Sequence, residues 1–186
     1  NIKAMQERSG NFGGTPAQIA DGYRNGIHRI VKALWSLEVP IIAAINGPAI
    51  GLGNDVACLC DIRIASEAAI LGATFLKIGL IPGDGGAWIL PRTIGMSRAA
   101  ELLFTGKTIK AEQALEWGLV SQVVAGDALM DAAQDMAQDM AVQSPVALRA
   151  AKRLLRQGQS VSFDTLMELS AVTQAAMHLS DDHQEA

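Results

Sequence analysis

Apolar residues Ile19, Tyr23, Ile27, Ile30, Val31, Leu34 and Leu37 recur at steps of three and four. This spacing predicts one amphipathic helix from Pro16 to Leu37. Thr15 stands at its N-cap and Pro16 at its first helical position. "VPIIAAIN" (39–46) is apolar without alternation, which predicts a strand covered on both faces. A helix over 52–60 follows, then strands over 61–66 and 69–73. Short helices are expected over 84–93 and 97–104, broken by Pro91 and Gly95. Residues 110–118 read as a helix that Gly118 stops from the C′ position, and 119–124 as a strand. From 127 onward the pattern is helical, over 127–143, 145–157 and 162–179, with Pro145 opening the second and Ser162 capping the third. Residues 1–16 are Gly-rich and polar and read as a mobile loop. Strands come early and helices late, which makes the chain α/β, without internal repeats.

With 186 residues, half of them hydrophobic and under a fifth charged, the chain suits one globular domain with a real core. A net charge of −4 offers no attraction to nucleic acid, and the scarcity of aromatics argues against a base-stacking platform. No apolar run reaches the length of a membrane span, and no signal peptide is visible. Cys58 and Cys60, two apart on a helix, point away from each other and have no zinc partners nearby. They read as small buried thiols of a reducing compartment, the cytoplasm. His28, His178 and His183 show no metal spacing, and His28 reads as a helix-surface or packing residue. The chain starts at Asn1 rather than Met and ends on the polar "LSDDHQEA", so both ends read as cut.

The candidate chemistry lies in "NGPAIGLGNDVACLCDIRIA" (46–65). A strand enters a glycine turn and leaves as a helix near Leu52. N–H groups at a helix start have no intrahelical partner and carry partial positive charge. Gly51 and Gly53 flank Leu52, so a substrate oxygen can approach its N–H closely. Asp55, three residues on, shares the helical face. A donor and a carboxylate facing one pocket suit enolate chemistry beside a carbonyl. A tight turn, with Asp55 merely favourable in the first helical turn, remains open on these residues alone. Other glycine motifs fail. "GLGNDV" has Val56 where a dinucleotide fingerprint needs its last glycine, and Glu101 stands where a phosphate loop ending in "TGKT" needs its first. A second glycine cluster surrounds Pro82 and Asp84, in "KIGLIPGDGGAWILPRTIG" (77–95). Asp84 reads either as an acid of the same cleft or as the N-cap of the next helix.

The stretches "PIIAAINGPAIGLGNDVACLCDIRIAS", "FLKIGLIPGDGGAWILPRTIG", "ELLFTGKTIKAEQALEWGLVSQVV" and "SPVALRAAKRLL" cover most of 39–157. Together they resemble the crotonase (enoyl-CoA hydratase/isomerase) superfamily. The resemblance implies stacked β-β-α turns, a core over 1–125 and a helical oligomerisation region over 126–186 that drives a homotrimer or dimer of trimers. It implies an acyl-CoA thioester substrate, coenzyme A being part of the substrate, with no separate cofactor and no metal. Leu52 falls on an oxyanion donor and Asp55 on a family glutamate, one carbon shorter. Asp84 is the candidate second acid, and Gly51, Gly53, Phe75, Pro82 and Gly83 line the substrate. Phe75 falls where hydratases place their second glutamate, so ordinary two-glutamate hydration is not expected. "NIKAM" matches residues just after the first oxyanion segment, which would precede Asn1. The expected activity is enoyl-CoA hydratase or double-bond isomerase. A non-catalytic acyl-CoA-binding member and a thioester or C–C hydrolase are the alternatives.

Overall fold

The computed structural model describes residues 2–7 and 9–185; Asn1, Arg8 and Ala186 lie outside the described residues. The described part of 1–16 is not all loop. It holds α1 (Ile2–Gln6) and a 3-10 turn at Gly10–Phe12. The single helix expected over 16–37 is two, α2 (Pro16–Asn25) and α3 (Ile27–Trp35). Gly26 parts them with φ −104° and ψ −106°, a backbone shape outside the helical well. The apolar spacing runs on across this break, so the sequence pattern conceals it. Thr15 caps α2 as expected, in a full capping box with Gln18.

The chain then runs β1 (Ile42–Ile45), β2 (Pro48–Ile50), α4 (Leu52–Leu59), β3 (Ile62–Ser66), β4 (Ile70–Gly72) and α5 (Gly86–Ile94). It continues through α6 (Met96–Thr105), β5 (Thr108–Lys110), α7 (Ala111–Glu116) and β6 (Gln122–Val124). Two small sheets result. One has the order β1-β3-β6, all parallel; the other has the order β2-β4-β5, with β5 antiparallel to β4. The turn expected between β1 and α4 thus contains a strand of the second sheet. β2 and β5 are three residues long, too short to display a period of two. Twice the chain steps from the first sheet to the second and into a helix, which is the stacked β-β-α architecture.

Both faces of the first sheet are covered. Ile42, Ala44, Ile62 and Ile64 face α8 (Leu129–Ala141), against Leu129 and Ala133. The alternate residues Ala43, Ile45 and Ala65 enter the main core with Cys58, Leu71 and Leu90. Cys58 and Cys60 are free and buried, and burial pushes the Cys58 thiol up to about 12, so it is inert. α5 runs through Pro91 rather than breaking there; its buried face of Gly86, Ile89, Leu90 and Ile94 holds the helix until Gly95, at φ 80°. Gly118 ends α7 as expected, with Leu119 N–H reaching the Ala114 carbonyl and Gly118 N–H the Leu115 carbonyl.

Beyond α8 come α9 (Pro145–Gln157), α10 (Phe163–His178) and α11 (Asp181–Glu185). Asp61 clamps α9 to the start of β3. It pairs with Lys152 at 2.7 Å and Arg156 at 3.0 Å, and accepts the Ile41 N–H at 2.8 Å. Lys152 is 6% exposed, so loss of Asp61 leaves a buried cation without its partner, at a cost of about 3–5 kcal/mol. Among the described residues no helix is long and apolar enough to cross a membrane.

Candidate active site

Gly51 opens the site with φ 58° and ψ −119°, a conformation that side chains disfavour. Its N–H donates to the Gly72 carbonyl at 2.8 Å and ties the turn to β4. Leu52 is then the first residue of α4, and its N–H has no partner among the described residues. Gly53 is exposed, and beyond the backbone of its own helix a Cβ there would meet nothing within 4 Å among the described residues. Phe75 lies beside this turn, half-buried on a 3-10 turn over Phe75–Ile78, with ring carbons 3.6 and 3.7 Å from where a Gly51 Cβ would sit.

Asp55 follows one helical turn after Leu52 and is wholly buried. Its Oδ2 accepts the Gly86 N–H at 3.2 Å, while its Oδ1 has no hydrogen-bond partner among the described residues. Burial pushes the carboxyl up to about 6; the adjoining Asn54 amide opposes the rise, the nearby Asp84 charge adds to it and the Gly86 N–H opposes it. A carboxyl held there changes protonation near neutral pH, as a general base requires.

Asp84 is 8% exposed and is not a helix cap. Gly85, at φ 102°, holds the N-cap position of α5, and no side chain caps it. The Asp84 Oδ1 lacks a partner among the described residues. Burial raises its pKa and His28 lowers it. Pro82 and Gly83 are half-buried, and the Gly83 N–H donates to the Ile81 carbonyl at 2.8 Å in a tight turn about Pro82. The Gly83 carbonyl accepts from His28 Nε2 at 2.8 Å. The fold therefore gathers Leu52, Asp55, Phe75 and the 82–86 turn. Sequence reasoning missed Gly86 as a partner of Asp55 and left His28 as a helix-surface or packing residue, since nothing local marks contacts 31 and 55 positions away.

A cleft of about 530 Å³ lies elsewhere, between α9 and the C-terminal end of α4. Its cations serve the fold. Arg63 donates to the Leu119 and Cys60 carbonyls, Arg92 to Trp88, Lys152 to Val39 and Arg156 to Trp35.

The enoyl-CoA hydratase/isomerase family model matches residues 7–186. The chain belongs to the enoyl-CoA hydratase/isomerase family. It is 36% identical over 168 residues to the short-chain-enoyl-CoA hydratase of Clostridium acetobutylicum, covering 89% of this chain and 64% of that protein. It is 38% identical over 156 residues to the 1,2-epoxyphenylacetyl-CoA isomerase of Escherichia coli K12, covering 84% of this chain and 60% of that protein. The chain thus spans less than two thirds of the length of these curated relatives. The crystal structure of the enoyl-CoA hydratase from Bacillus anthracis superposes with a TM-score of 0.88 at 36% identity, over 94% of this chain and 67% of that one. The β-β-α core of this family member is accordingly the crotonase fold.

Proposed function

We propose that this protein acts on an acyl-CoA thioester, shifting a double bond or adding water through an enolate. The observation that carries the reading is Asp55: a wholly buried carboxylate with one open oxygen, one turn beyond a free helix-start N–H. In the double-bond shift, Asp55 takes the proton from the carbon beside the thioester carbonyl. The electron pair moves onto the carbonyl oxygen, which the Leu52 N–H stabilises. The same carboxyl returns the proton to the far carbon, so one acid suffices and no cofactor takes part. Hydration needs a second group to orient water, and Asp84 is the acid available for it. Phe75 forms a wall of the acyl pocket, with Gly51, Gly53, Pro82 and Gly83 around the thioester.

We further propose a homotrimer or dimer of trimers in the cytoplasm. The free buried thiols fit a reducing compartment. Phe75 favours a second reading, in which the protein binds acyl-CoA without turning it over. Turnover of crotonyl-CoA and of a β,γ-enoyl-CoA, followed for wild type and Asp55→Asn, tests the proposal. Loss of wild-type turnover in the variant supports it; wild-type silence on both supports binding only. Release of free CoA marks a hydrolase instead.

A further inference from the structure

We infer that His28 is a positioning residue for Asp84: by donating its Nε2 hydrogen to the Gly83 carbonyl, it holds the turn that carries this acid beside Asp55. The inference rests on the acyl-CoA reading only for what Asp84 then does.

Asp84 stands between Gly83 and Gly85, and Gly85 is in the left-handed region at φ 102°. Glycines on both sides leave the acid's backbone unusually free, so an outside tie must fix it. The His28 bond, 2.8 Å long, is such a tie from α3. A carbonyl oxygen only accepts, so Nε2 carries the hydrogen. The imidazole is itself buttressed. Tyr23 of α2 packs on it with ring centres 5.8 Å apart, and Phe12 meets Tyr23 edge-on at 5.8 Å. Tyr23 also approaches Gly83, its ring 3.9 Å from where a Cβ would stand. His28 directs Nε2 to the main chain, and the Asp84 Oδ1 is buried and without a partner among the described residues. Most buried carboxylate oxygens in folded proteins are hydrogen-bonded, so an open one fits an acid kept for a ligand. Among the described residues, the titratable groups facing Asp84 are Asp55 of α4, Tyr23 of α2 and His28 of α3, of which His28 is the one that can add positive charge.

The test compares wild type, His28→Leu and His28→Gln. Gln keeps a donor within reach of the Gly83 carbonyl but cannot carry charge. Asp84 is titrated by carboxyl ¹³C NMR, its resonance assigned with Asp84→Asn, and kcat and KM are measured on crotonyl-CoA and a β,γ-enoyl-CoA. Both variants should move the Asp84 titration to higher pH. His28→Leu should lower kcat on the order of ten- to a hundredfold with KM little changed, as expected of a misplaced group. His28→Gln should restore most of that loss. An unmoved Asp84 titration, or equal kcat losses in Leu and Gln, overturns the inference. Wild-type silence on both substrates would refute the acyl-CoA reading instead, and the Asp84 carboxyl resonance, displaced in His28→Leu and restored in His28→Gln, would still decide whether His28 holds the turn.

Discussion

Asp55 lies so close to Gly86 that no side chain fits between them. A Cβ on Gly86 would stand 2.4 Å from Asp55 Oδ1 and 2.6 Å from Oδ2, while the Gly86 N–H holds Oδ2 at 3.2 Å. The start of α5 is thus the seat of the carboxylate on α4.

Gly86→Ala should therefore act on Asp55. Position 86 lies inside a helix and needs no positive φ, so the methyl group is excluded by space and not by backbone conformation. Displacing the carboxylate should cost about 10²-fold in kcat, and the overpacking about 1–3 kcal/mol of stability. Kinetics together with urea unfolding check this. A stable, fully active Gly86→Ala protein would remove Asp55 from the chemistry.

Asp55→Asn should lose activity and gain stability. The carboxyl titrates near 6 in the folded chain, against an ordinary value of 3.8. Between these values the folded state holds a proton that the unfolded chain has released. Stability therefore falls as pH rises through about 4 to 6 and levels off above. The full effect is about 3 kcal/mol at neutral pH. A neutral amide removes it, so the variant should unfold at higher urea than wild type at pH 7.5, with the gap closing near pH 4. Turnover should drop by about 10²–10⁴-fold. Wild-type kcat/KM should rise through about pH 6 as Asp55 ionises.

Leu52→Pro isolates the main-chain donor. Leu52 is the first residue of α4, a position where proline suits the helix and its missing N–H breaks no helical bond. The variant should fold yet lose about 2.7–4 kcal/mol of transition-state stabilisation. Leu52→Ala, which keeps the N–H, should change turnover little. Near-normal rates in a folded Leu52→Pro would place the oxyanion elsewhere.

The protein should run as a trimer or hexamer by light scattering. Of the apolar residues on the C-terminal helices, Leu155 is 74% exposed, while Met136, Met140, Leu154, Leu166 and Leu169 are half-buried within the chain. α10 has no buried residue and presents Phe163, Met167 and Val172 to the outside. Phe163→Ser with Val172→Ser should weaken the assembly. A monomer at micromolar concentration would refute the expectation.

Most elements were legible because their cause is local. The capping box at Thr15, the stop at Gly118 and the apolar run over 39–46 need only neighbouring residues to be understood. Gly26 splits a helix without disturbing its apolar spacing, and Pro91 fails to break one because the buried face beneath it holds the helix together. The α/β order, the helix start at Leu52 and the acid one turn beyond it were legible in the residues alone, since each element and turn is set by its neighbours along the chain. Packing alone reveals that Asp84 caps nothing, that Gly86 seats Asp55, that Phe75 walls the Gly51 turn and that His28 reaches the Gly83 carbonyl. Three of these relationships join residues 24 to 55 positions apart, and burial raises the pKa of both acids. Distance and burial are properties of the packed chain, and no local pattern encodes them.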